Sequence, residues 1–209
     1  MEPFRTFTGV AAMLPAENIN TDAIIPTRWI VNSRDLGEGL FGVWRYRLDG
    51  SENPDFVLNQ APFRDSRILV AGPNFGCGSS REEALWALMR FGIRCVIAPG
   101  FSDIFFENAF KNGLLPVILP AETIALISEH LAASNTHELT VDLERCVVAL
   151  PGGAEFPFAI APNRRRSLLD GTDEIDRTLA LSDAFERFQS RDRLLRPWIY
   201  PLAKGASDE

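Results

Sequence analysis

The stretch Asn74-Phe-Gly-Cys-Gly-Ser-Ser-Arg-Glu-Glu-Ala-Leu-Trp86 crowds two glycines, a thiol, two hydroxyls and a guanidinium into one predicted strand-to-helix junction. Around Gly76 and Gly78 the backbone can turn its N–H groups outward, and a helix beginning just beyond adds the positive end of its dipole. Such a loop suits an anion. It has no lysine, so it is not a Walker-type phosphate loop, and Arg81 stands where a dinucleotide fingerprint needs its third glycine. No acidic residue ends the strand near Ala98 to take a ribose. Arg81 can instead grip a carboxylate through two parallel hydrogen bonds, with Gly78, Ser79 and Ser80 filling the remaining lone pairs. A small polycarboxylate is the ligand this pattern predicts.

Two other readings of the same residues stay open at this stage. Ser79-x-x-Glu82 and Ser80-x-x-Glu83 both have the form of a capping box, in which the serines merely start a helix and Arg81 is solvated. Cys77, between two glycines at a helix start, could be an activated nucleophile. It would then need a histidine base. His130 and His137 are the only imidazoles, on or near a later helix whose polar character suits solvent.

The elements that position this stretch follow from periodicity and punctuation. Ile68–Ala71 is a short apolar run ended by Gly72-Pro73, Ala84, Leu85 and Leu88 recur at helical spacing up to Gly92, and 93–98 is a second apolar run. The unit is therefore β-loop-α-β. Upstream, 7–14 reads as an opening strand, Asn18–Asp22 as a polar turn, 27–50 as a long, partly mobile loop, and 51–66 as an irregular connection. Downstream come a helix over 101–110, a strand over 114–119, a helix over 122–133, and strands over 138–143 and 146–150, the latter pairing with 156–160. From about residue 163 the tail is helical and charged, with Ser182 suited to an N-cap.

At 209 residues and 46% hydrophobic, the chain has ample material for a core. Its net charge of −7 argues against nucleic acid, and Arg164 to Arg166 read as a charged helix face. No apolar run approaches the roughly 20 residues of a membrane span, and no secretory signal opens the chain, so cytoplasm is the expected compartment. Cys77, Cys95 and Cys146 with two histidines build neither a disulfide framework nor a self-contained metal centre. No metal or cofactor site is expected in this chain. Cys95, inside an apolar run, reads as core.

Asn18-x-x-Thr-Asp22-x-Ile-Ile-Pro26, the Asn74–Glu82 stretch, Trp86-Ala-Leu and Asn112-Gly-Leu-Leu-Pro116, in that order, resemble the small subunits of 3-isopropylmalate dehydratase. The resemblance runs from about residue 7 to 190. It implies an α/β fold, the swivelling β/β/α domain related to the aconitase C-terminal domain, here over 1–162, with a helical extension over 163–209 packed on it. It implies a hydro-lyase of leucine biosynthesis, in which a separate large subunit carries a [4Fe-4S] cluster and this chain closes over a small di- or hydroxycarboxylate. Ser79 matches the general base, and Ser80 and Arg81, beside Gly78, match residues that bind substrate carboxylate. Substrate choice is attributed to the loop after Ile25-Pro26, which makes Arg28 and Arg34 candidates for it. The family's usual Arg-Glu-His-Ala-Pro-Trp becomes Arg-Glu-Glu-Ala-Leu-Trp here, with Glu83 for histidine and Leu85 for proline. Relatives acting on citraconate, 2-methylmalate, dimethylmalate or maleate share the same frame, and a non-catalytic anion-binding module is a further alternative.

Overall fold

In a computed structural model, residues 1–32, 35–133 and 136–200 are described. They fall into two compact units, Met1–Gly171 and a helical unit from Thr172 onward. The expected division at 162 lies earlier in the chain. The helix Pro162–Asp170 belongs to the first unit, because Leu168 is fully buried in its core and accepts at its carbonyl from the Phe4 N–H at 2.8 Å.

The first unit is built on a mixed seven-stranded sheet among the described residues. Its strands are β1 (Thr6–Leu14), β2 (Ile68–Ala71), β3 (Cys95–Ala98), β4 (Leu115–Ile118), β5 (Glu138–Asp142), β6 (Val147–Ala149) and β7 (Glu155–Pro157), in the order β4-β3-β2-β1-β5-β6-β7. β1 is the pivot. It runs parallel to β2, with Ala11 opposite Ile68 and Leu14 opposite Ala71, and antiparallel to β5, with Thr6 opposite Asp142. The parallel half carries the central β-loop-α-β unit, and the antiparallel half is a meander.

Successive residues of a strand face opposite sides, so the parallel strands feed two cores. Ala12, Leu69, Ala71, Val96 and Ala98 face one cluster, and Ala11, Ile68, Val70, Cys95 and Ile97 face the other. Both faces are covered, which is why these strands read as unbroken apolar runs. The helices are α1 (Thr21–Ile24), α2 (Thr27–Asn32), α3 (Gly42–Arg45), α4 (Glu82–Phe91), α5 (Asp103–Asn112), α6 (Ala121–Ala133) and α7 (Pro162–Asp170). Ala84, Leu85 and Leu88 of α4 seal the first cluster, and Ile127 and Leu131 of α6 with Leu168 of α7 seal the second. α4 ends at Gly92, whose φ of 118° lets its N–H turn back to the carbonyls of Leu88 and Met89.

Three expectations change and one, Cys95, holds. Residues 27–50 are not one loop but hold α2 and α3, seated by aromatic packing: Trp29 lies 5.2 Å from Tyr46, and Phe41 stacks on Trp44 at 5.6 Å. The supposed turn at 18–22 becomes the start of α1, with Asn20 as N-cap accepting from the Ala23 N–H at 2.8 Å. Neither histidine is free in solvent: His137 hydrogen-bonds the Leu131 carbonyl at 2.8 Å and packs on Phe63, while His130 has its Nε2 buried. Burial also pushes the Cys95 thiol far above its ordinary pKa, as suits a core residue.

The second unit, taken by itself, has α8 (Glu174–Leu179) and α9 (Ser182–Leu195). Asp173 and Asp176 cap α8 reciprocally. Ser182 is the first residue of α9 rather than its cap, and its hydroxyl donates to the Leu179 carbonyl at 2.6 Å. Asp192 ties the end of the helix down by accepting from Arg196 Nε at 2.7 Å and from the Tyr200 hydroxyl at 2.8 Å.

Candidate active site

Because β1 and β2 are adjacent and parallel, the segments that leave their C-terminal ends emerge side by side. These are 15–25 and 72–81. They are stitched together backbone to backbone. Asn18 N–H donates to the Pro73 carbonyl at 3.0 Å, Gly76 N–H to the Ile19 carbonyl at 2.8 Å, and Thr21 N–H to the Cys77 carbonyl at 2.9 Å. Asn74 Nδ2 donates to Asn18 Oδ1 at 2.7 Å. The start of α5 fixes the other side, where Ser102 donates from its hydroxyl to the Gly76 carbonyl at 2.6 Å. Gly76 is indispensable to this seam. Its φ is +75°, and a Cβ there would stand 2.3 Å from the Phe105 ring.

The capping-box reading does not survive. α4 begins at Glu82 with Arg81 as its N-cap in extended conformation, and no side chain caps it. Both serines precede the helix and are exposed. Among the described residues, neither serine hydroxyl has a hydrogen-bond partner, and the N–H groups of Ser79, Ser80 and Arg81 donate to nothing. The Ser79 carbonyl is held by the buried Thr21 hydroxyl at 2.8 Å, which fixes the turn without using its side chain.

Arg81 is pinned at one end only. Its Nη1 lies 2.7 Å from Asp22 Oδ1 and 3.4 Å from the Ile25 carbonyl, while Nε and Nη2 have no partner among the described residues. The side chain is 21% exposed and its aspartate 58%, so a half-buried guanidinium keeps a free edge. Gly78, Ser79, Ser80 and Arg81 line one cavity with Thr21 and Asn108. The cleft is shallow and partly open, with about 10 Å³ accessible to a water.

The structure brings Gly78, Ser79, Ser80 and Arg81 together and leaves Arg28 apart. Arg28 is exposed on α2, its Nη2 reaching the Gly42 carbonyl at 3.4 Å, and does not line the cavity. Arg34 lies outside the described residues. Sequence reasoning missed Thr21, Asp22, Ser102 and Asn108. Polar residues just after neighbouring parallel strands were the available signal. Cys77 donates to the Asn18 carbonyl at 3.3 Å with no imidazole among its partners. Among the described residues, no group of three or more His, Cys, Asp or Glu side chains could hold a metal ion, and no helix is long and apolar enough to cross a membrane.

Comparison with known proteins gives the class first. The aconitase C-terminal domain family matches residues 1–122, and LeuD_N matches residues 129–162. The 3-isopropylmalate dehydratase small subunits of Granulibacter bethesdensis and Gluconacetobacter diazotrophicus are 50% and 51% identical over 201 and 200 residues. These matches cover 95% of this chain and 96% and 97% of the relatives. The chain belongs to the 3-isopropylmalate dehydratase small-subunit family. The solved 3-isopropylmalate dehydratase (leuD) of Methanocaldococcus jannaschii shares the fold, with a TM-score of 0.61 at 24% identity over 90% of this chain and 99% of that one.

Proposed function

We propose that this chain is the small subunit of a cytoplasmic hydro-lyase that converts 2-isopropylmalate to 3-isopropylmalate in leucine biosynthesis, working with a large subunit that carries a [4Fe-4S] cluster. The observation that carries this is the cavity wall itself. Ser79 and Ser80 with unpartnered hydroxyls, three unspent backbone N–H groups and Arg81 with a free edge belong to the residues lining a cleft too small to hold a dicarboxylate alone. A second protein surface must complete it.

The partner's cluster, when bound, would supply Lewis acidity for the departure of the hydroxyl from carbon 2. Ser79, as alkoxide, takes the proton from carbon 3, and that C–H electron pair becomes the C2=C3 bond. Return of that proton to carbon 2 and addition of hydroxide to carbon 3 gives the isomer. Serine is a weak base unless its anion is stabilised. The N-terminus of α4, the free loop amides and Arg81 supply positive potential, while Ser80 and the free edge of Arg81 hold the substrate carboxylate.

Co-expression with the cluster-bearing subunit, anaerobic purification and alkene absorbance with 2-isopropylmalate test this reading. Ser79→Ala is expected to lower turnover by about 10³-fold or more with an unchanged fold and complex. An active Ser79→Ala complex would rule Ser79 out as base. A neighbouring substrate is the second reading: the resemblance puts histidine and proline where this chain has Glu83 and Leu85, and Leu85 is buried in the cleft wall. Faster turnover of citraconate, dimethylmaleate or maleate, run in parallel, would move the assignment to that diacid. No turnover of any of them would make the chain a non-catalytic module.

A further inference from the structure

We propose that the arginine-lined depression at the N-terminal ends of β2 and β3 is a second anion site, which takes a small polycarboxylate. It lies at the opposite end of β2 from the Ser79 loop, a strand's length away, about 13 Å at roughly 3.3 Å per residue. Arg67 immediately precedes β2 and Arg94 immediately precedes β3. Two adjoining cavities of about 220 and about 370 Å³ share Glu2, Arg67 and Arg94 in their walls.

The donors here are not used up. Arg67 lies over the Phe7 ring at 5.3 Å, its stem against Gly9, and makes no ion pair among the described residues. Arg94 is more committed. Its side chain is 14% exposed and 5.8 Å above the Phe4 ring, it pairs with the Glu2 carboxylate, and its Nε is buried without a partner. Ser66, 1% exposed, stands in the wall of the larger cavity with its hydroxyl unpartnered. Phe4 and Phe7, packed edge to face at 5.1 Å, give both guanidiniums a common apolar floor.

Arg94, drawn largely from water, already holds a carboxylate, and the exposed Arg67 beside it holds none, so the pair can take an anion. Glu2 is 76% exposed, so its carboxylate can give way to another. A molecule with two carboxylates could replace Glu2 on Arg94 and reach Arg67 with its second, which Glu2 cannot do. Arg5 and Arg64 at the rims are paired with Glu144 and Glu52, and Asp65 lines the larger cavity, so the attraction for an anion rests on Arg67 and Arg94.

The test is a titration of the isotopically labelled full chain with malonate at constant ionic strength, following the Nε–H signals of Arg67 and Arg94 by NMR. Saturable shifts at both are expected. Arg67→Met, which keeps the contact with Phe7, should weaken them by about tenfold. Glu2→Gln should tighten them several-fold by removing the internal competitor, and Arg81→Met should leave them unchanged. The backbone amide spectrum of each variant reports that it is folded. Shifts that never saturate, that persist in Arg67→Met, or that weaken in Glu2→Gln would overturn the site.

Discussion

Arg81 and Arg45 are both drawn away from water, and the protein uses them in opposite ways. Arg45 is 7% exposed with no carboxylate in contact. Its Nε donates to Asn59 Oδ1 at 3.1 Å, its Nη1 to the carbonyls of Gly37 and Glu38 at 3.2 and 3.4 Å, and its plane lies near the rings of Tyr46 and Phe91. Asn59 returns a bond to the Arg45 carbonyl at 2.7 Å. Burial lowers the pKa of this guanidinium, which stays charged all the same. Arg81 spends one nitrogen on an exposed carboxylate and keeps an edge open beside two free hydroxyls. A guanidinium whose Nε and Nη1 are both taken up by its own fold is structural, and one held through a single nitrogen is equipped to receive a ligand.

The largest effect that can break this contrast is on Arg81. Arg81→Met in the assembled enzyme is expected to lower kcat/KM by about 10²- to 10³-fold, the loss of a bidentate carboxylate contact, with little change in Tm. A variant with unaltered kcat/KM would make Arg81 a second Arg45. Next is Arg45→Met. Removing that guanidinium leaves the Glu38 carbonyl and Oδ1 of Asn59 without a donor, and the Gly37 carbonyl with only the Leu40 N–H, which costs about 3 kcal/mol of stability by chemical denaturation. The surviving folded protein should keep its KM. A normal midpoint with a raised KM would show that Arg45 acts on the site through the 35–42 segment.

The sequence shows one of these arginines and hides the other, for a physical reason. Arg81 sits in a run of glycines and hydroxyls whose local chemistry already announces an anion, and the strands on either side are apolar runs that can only be buried. Arg45 lies among aromatics and glycines in a segment with no period, and its partners come from 37, 38 and 59, each joined to it through tertiary packing. Asp22 was hidden likewise. Asn18–Asp22 is chemically a good turn, and it is a wall of the site only because β1 and β2 are neighbours in the sheet. The serines misled in the other direction. Their spacing to Glu82 and Glu83 fits a capping box, yet the seam to 18–21 holds them ahead of the helix and leaves their hydroxyls free.

The smallest effect is the sharpest test of how Arg81 is held. Its partner Asp22 is 58% exposed, so the pair is a surface ion pair worth about 0–1 kcal/mol, and Asp22→Asn should leave Tm almost unmoved. Two roles then predict opposite signs in KM. If Asp22 anchors Nη1 so that Nε and Nη2 face the substrate, the amide loses that anchor and KM rises by about tenfold with kcat less affected. If Asp22 competes with the substrate for the guanidinium, its neutralisation lowers KM. The geometry favours the anchor. Asp22 and the Ile25 carbonyl share the same nitrogen, on the side away from the free edge that a second carboxylate would take. The expected outcome is therefore a raised KM, and a lowered one would show that the open edge of Arg81 is not where the substrate binds.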